Sequence, residues 1–102
     1  MLNTPVLTHD LEHAKKILLE QLQAFRAKVY LFGSQATGKA RLYSDIDIAI
    51  LPLQPLPVHT LSEIREKLEE SNIVRKVDVL DLAETDDDFR KRVVEEGVVW
   101  KG

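Results

Sequence analysis

Residues 45–51 read Asp-Ile-Asp-Ile-Ala-Ile-Leu, and this strict alternation constrains the fold more than any other stretch of the chain. A period of two fits a β-strand and not a helix. It puts Asp45, Asp47 and Ala49 on one face and Ile46, Ile48 and Ile50 on the other. The isoleucine face has to be covered by a second layer. The opposite face carries two neighbouring carboxylates, close enough for their charges to repel.

The elements around this strand follow from similar periodicities. Leu11, Ala14, Leu18, Leu22 and Phe25 recur at three and four, which predicts an amphipathic helix over residues 10–25, capped by Thr8 or Asp10. Residues 29–32 form a short buried strand that stops at Gly33, and Gly33-Ser34 makes a turn. Residues 35–44 are small, polar or basic, with Gly38 among them, and predict a short helical turn and loop. Pro52, Pro55 and Pro57 end the central strand. Thr60-Leu61-Ser62-Glu63 then matches a capping box for a helix to about residue 71, with Leu61, Ile64 and Leu68 facing inward.

Residues 74–82 alternate as a third strand, with Lys76, Asp78 and Leu80 on one face and Val77, Val79 and Asp81 on the other. Thr85, followed by Asp86, Asp87 and Asp88, starts a last helix that turns Phe89 and Val93 inward and ends at Gly97. Residues 98–100 add a short edge strand. The expected fold is α/β (α+β), a small mixed β-sheet flanked by helices, with residues 1–102 forming one domain.

Composition narrows the classes of function. Seventeen acidic against fourteen basic residues give a net charge of -3, so strong non-specific nucleic-acid binding is not expected. The absence of cysteine excludes disulfides, thiolate zinc sites and cysteine nucleophiles, and a cytoplasmic setting is expected. No run approaches the ~18 apolar residues of a membrane span, and the first ten residues lack the pattern of a signal peptide.

The chemistry concentrates in Gly33-Ser34, ten intervening residues, and Asp45-Ile46-Asp47, with Asp78 following inside a strand. A glycine and serine after a buried strand leave backbone N–H groups open to a phosphate and let the chain approach it closely, a cradle for a triphosphate. Asp45 and Asp47 project from one face and suit hard divalent cations. Magnesium takes one or two carboxylates together with substrate phosphates, and a pair of ions clamps attacking and leaving oxygens in phosphoryl transfer. Asp78 is the third candidate, because a carboxylate between Val77 and Val79 in a buried strand needs a partner or a metal. Asp81, on the other face near the strand end, is expected to meet solvent or cap a turn.

Gly-Ser alone is only a turn, and Asp-x-Asp at a strand start is usually a solvated face. The combined spacing arises by accident on the order of once in a thousand chains of this length. The segment LFGSQATGKARLYSDIDIAIL resembles the signature of the DNA polymerase β-like nucleotidyltransferase superfamily, in its minimal nucleotidyltransferase (MNT) branch. The likeness extends over the preceding helix and strand, the VDVLDL strand and the final helix with EGVVW.

The resemblance implies that Gly33 and Ser34 contact nucleotide phosphates, that Asp45 and Asp47 hold two magnesium ions, and that Asp78 binds the catalytic ion and activates an acceptor hydroxyl. It further implies ATP as substrate and a role as antitoxin toward a small helical HEPN RNase toxin, some members silencing that toxin by transferring AMP to a tyrosine. A hetero-oligomer with that partner would supply the acceptor.

Lys39 and Arg41, between the motif halves, are candidates for reaching the triphosphate or the partner, though loop cations are usually only solvated. Lys76 shares the Asp78 face, where contact with the site and a structural ion pair are equally open. His9, His13 and His59 lack a carboxylate pattern for metal ligation, and Tyr43 is expected to pack rather than stack on a base. Two alternatives stay open on the residues: neutralisation of a partner by occlusion without catalysis, and transfer to a small molecule or an RNA end.

Overall fold

The structure is a computed structural model and describes residues 5–33 and 45–102, with side chains in the first helix described from His9 onward. Along the chain come α1 (Pro5–Leu22), β1 (Ala27–Phe32), β2 (Ile46–Pro52), α2 (Thr60–Glu70), β3 (Val77–Asp81), one 3-10 turn (Leu82–Glu84), α3 (Asp87–Glu96) and β4 (Val98–Lys101). The strands form one sheet in the order β3-β2-β1-β4. β1 is antiparallel to β2 and to β4, whereas β2 and β3 are parallel, so the sheet is mixed as expected. A parallel pair needs a crossover, and α2 supplies it.

The two faces of β2 have different fates. Ile46, Ile48 and Ile50 are fully buried and pack with Val29, Leu31 and Val79 of the sheet against Ala14, Leu18 and Leu22 of α1 and Ile64 and Leu68 of α2. Each such aliphatic side chain contributes roughly 1.5–3 kcal/mol on burial, which makes this the main core. Ala49 points the other way, into a smaller cluster with Tyr30, Leu82 and Val93, flanked by Phe32, Leu51, Leu80 and Phe89. There α3 covers the sheet. Asp47 lies on that same face but outside the cluster.

Helix starts differ from the sequence expectation in three places. α1 begins at Pro5, a residue suited to a first helical position because its missing N–H would have no partner there. Thr8 and Asp10 therefore lie inside the helix and not at its N-cap position. Asp10 is fully buried, and its carboxylate accepts hydrogen bonds from the backbone N–H of Val74 (3.2 Å) and of Arg75 (3.1 Å). Those residues are held by α1, and β3 begins only at Val77.

α2 is preceded by His59 as N-cap, with no side-chain cap bond, so the capping box does not form. The Thr60 N–H donates to Pro57 O (3.1 Å), and the proline-rich turn sets the entry instead. Before α3, Thr85 Oγ1 donates back to Leu82 O (2.8 Å), while Asp86 is the cap and accepts from the Phe89 N–H (2.8 Å). Asp81 behaves as expected and accepts from the Ala83 N–H (2.9 Å) to start the 3-10 turn.

Gly97 follows the last residue of α3, and the position is crowded, since a Cβ there would stand 2.6 Å from Val93 O and 3.1 Å from Leu31 O. Trp100 packs on the main core, while Val98 and Val99 stay exposed. Among the described residues no helix is long and apolar enough to cross a membrane.

Candidate active site

Strand directions gather the candidate residues at one end of the sheet. β1 finishes where β2 and β3 begin, so Phe32, Asp47 and Asp78 form a row of register partners across the three strands. Gly33 follows Phe32 directly, and Asp45 immediately precedes β2. Adjacent strands lie about 4.8 Å apart, which sets the carboxylates of Asp47 and Asp78 side by side. Asp47 is half-buried, and Asp45 and Asp78 are exposed.

This placement has an electrostatic consequence. Burial, then the charge of Asp78, then that of Asp45 hold the Asp47 carboxyl above the usual carboxylate range, while Lys76 opposes them. Gly33 makes room for this carboxyl. Its backbone takes φ +74, and a Cβ built on it would stand 2.6 Å from Asp47 Oδ2. Both the left-handed conformation and the close approach exclude a side chain there.

Asp78 reaches the site by register, and not for the reason the sequence suggested. β3 is an edge strand, and the Asp78 side chain is 51% accessible, so no burial cost demands a partner for it. Lys76 Nζ lies 3.7 Å from Asp78 Oδ1 at the surface, a pair worth about 0–1 kcal/mol at most. Lys76 thus forms the ion pair and also touches the site through it.

Ser34, Lys39, Arg41 and Tyr43 lie outside the described residues. His9 and His13 lie beside each other on α1 with ring centroids 5.5 Å apart and planes tilted by 51°, and His59 precedes α2 without a side-chain cap bond. Among the described residues no three His, Asp or Glu side chains form a ready cage for a metal ion. Magnesium does not require one, because phosphates and water complete its shell around one or two carboxylates. The repulsion felt by Asp47 fits a cation, and the backbone of Gly33, without a side chain, fits the close approach of a phosphate.

The sequence reading turned Phe89 and Val93 of α3 inward but did not single out Arg92 and Glu96 beside them. Phe89, Arg92, Val93 and Glu96 line a cleft of about 250 Å³ with Phe32 and Gly33. Their spacing of three, four and seven is the helical signal that would have found it. A further cleft of about 340 Å³ runs along the outer edge of β3 beside Arg65, Arg75, Lys76 and Asp78.

Residues 12–101 match the family model described as Polymerase beta, Nucleotidyltransferase. The Haemophilus influenzae protein named "Probable protein adenylyltransferase MntA" is 41% identical over 76 residues, which span 74% of this chain and 66% of that protein, just short of two thirds of its length. Among solved structures, a toxin–antitoxin crystal structure with AMP-PNP superposes with a TM-score of 0.66 at 30% identity, covering 86% of this chain and 73% of that one. A complex of the tri-AMPylated Shewanella oneidensis HEPN toxin with its MNT antitoxin gives a TM-score of 0.64 at 27% identity, covering 93% and 71% of the two chains.

Proposed function

Because the chain belongs to the polymerase beta nucleotidyltransferase family, we propose that it transfers AMP from magnesium ATP to a tyrosine hydroxyl of a helical HEPN-type toxin and acts as that toxin's antitoxin in the cytoplasm. The observation that carries this is the row of Asp47 and Asp78 in register, with Gly33 placed where a Cβ would collide with the Asp47 carboxylate. A relative named an adenylyltransferase, a related complex with AMP-PNP and a related complex with a tri-AMPylated toxin support it. On this proposal residues 1–102 act as one minimal catalytic unit whose acceptor comes from the partner.

Asp45 and Asp47 would hold two magnesium ions, with Asp78 shared toward the acceptor. Magnesium, when bound, neutralises the negative charge that develops on the phosphates during transfer. The chain's own residues do the positioning: the backbone of Gly33, free of a side chain, and Ser34 contact the phosphates, and Lys39 and Arg41 reach the triphosphate. Asp78 receives the acceptor at the open edge of the sheet, orients its hydroxyl and takes its proton. A bond forms between the acceptor oxygen and the α-phosphorus, the bond to the bridging oxygen breaks, and pyrophosphate leaves.

The test uses ATP labelled at the α- or the γ-phosphate, incubated with the protein and its partner. Label should appear on the partner from the α position only. Label from the γ position would identify a kinase, and label from neither would leave occlusion as the mode of silencing.

A further inference from the structure

The cleft beside Gly33 is unlike a phosphate site. Phe32 and Phe89 wall it with their rings edge to face, centroids 5.9 Å apart at 88°, and Val93, one turn after Phe89, lines it as well. At about 250 Å³ it is smaller than pockets for whole drug-sized ligands, roughly 300–1,000 Å³, and suits one ring system.

Its charges point the same way. Arg90 on α3 is committed to the fold, donating from Nε to Leu82 O (3.0 Å), from Nη2 to Thr85 O (3.1 Å) and from Nη1 to Asp87 (3.3 Å). Arg92, two residues on, lines the cleft and makes no hydrogen bond or ion pair with the described residues. Glu96, one turn further, is the last residue of α3, next to Glu95. The negative end of a helix dipole disfavours a carboxylate there, and no cation in the last turn compensates it. Two glutamates and a helix C-terminus repel phosphate. They favour a neutral ring that offers an N–H donor.

We propose that this cleft binds the nucleobase of the incoming nucleotide, with Phe89 and Arg92 against the ring and Glu96 accepting a hydrogen bond from an exocyclic amino group, so that it favours a base that carries one, as adenine does. The inference rests on the ATP reading above and adds the origin of its base preference. Gly33 lines the cleft, and a Cβ on it would stand 2.6 Å from the Asp47 carboxylate, so a base seated here leaves its ribose and α-phosphate directed at the carboxylates. Stacking on an aromatic edge and a guanidinium tolerates any base. Discrimination therefore falls to Glu96.

The test is calorimetric binding of magnesium ATP and of purine riboside 5′-triphosphate, which differs from ATP only in lacking the amino group, with inorganic tripolyphosphate as a probe of the phosphate subsite. The wild type should prefer ATP by on the order of tenfold, the worth of one hydrogen bond to a charged group. Glu96→Ala should remove that preference, and Arg92→Ala should weaken both nucleotides. Neither variant should weaken tripolyphosphate. Both residues are exposed, and an unchanged far-ultraviolet circular dichroism spectrum checks the fold.

Unchanged selectivity in Glu96→Ala overturns the base site, as does an Arg92→Ala loss that is equal for tripolyphosphate and ATP, which would make the cleft a phosphate subsite. Selective ATP binding without transfer overturns the transferase reading alone. Failure of the wild type to bind ATP overturns both.

Discussion

Asp47 and Asp78 are register partners across the parallel β2–β3 pair, on the face of the sheet that α3 covers only in part. Their carboxylates share a small region with Asp45, and Asp47 bears the strain in its ionisation. The fold tolerates this repulsion because the main core lies on the opposite face.

A pH dependence of stability follows. The carboxyl of Asp47 is held above the usual range by burial and by Asp78 and Asp45, so the native state keeps its proton to higher pH than the unfolded chain does. Ionisation then disfavours the fold, and stability falls as pH rises through the ordinary aspartate range and just beyond it. Asp47→Asn should remove that decline, so that the variant is at least as stable as the wild type at neutral pH. Urea unfolding at several pH values checks this, and magnesium should narrow the difference.

Gly33→Ala should damage both fold and site. The left-handed backbone costs a non-glycine residue about 1–2 kcal/mol, and the new Cβ has to displace the Asp47 carboxylate. Displacement of a positioned group by about 1 Å lowers a rate by roughly 10²-fold. Thermal melts and transfer rates should show the two effects together.

Asp10 predicts the opposite combination. Its carboxylate holds the backbone of residues 74 and 75, which lead into β3 but are not part of the catalytic row. Asp10→Ala should lower stability by about 3 kcal/mol or more, as expected for losing two hydrogen bonds to a charged acceptor. Nucleotide binding at low temperature should persist, as calorimetry will show.

The helix starts separate two further substitutions. Asp86→Ala removes a formed cap and should cost about 1 kcal/mol. Glu63→Ala removes an exposed member of a capping box that does not form, and should change stability by no more than about 0.5 kcal/mol. Denaturant midpoints of the two variants check the difference.

Local periodicity carried much of this structure. The alternation of residues 45–51 gave β2 and its faces, and the three–four spacing of Ala14, Leu18 and Leu22 gave the buried side of α1. The faces of β3 were legible too, since Asp78 and Leu80 oppose Val77 and Val79. Strand order was not, because pairing is decided between distant segments, and Asp78 therefore looked buried when it lies on an edge. Asp10 looked like a cap because its partners lie 64 and 65 residues away. Thr60 and Thr85 were misread as caps because the choice among adjacent polar residues depends on how the preceding turn enters the helix.

The intact mass of the co-expressed helical partner, taken after incubation with ATP and magnesium, tests the central claim most directly. The wild-type protein should add one or more AMP units to that partner, and Asp45→Asn/Asp47→Asn should add none. A partner that gains no mass yet is silenced equally by both proteins would contradict catalysis and leave binding alone as the mode of action.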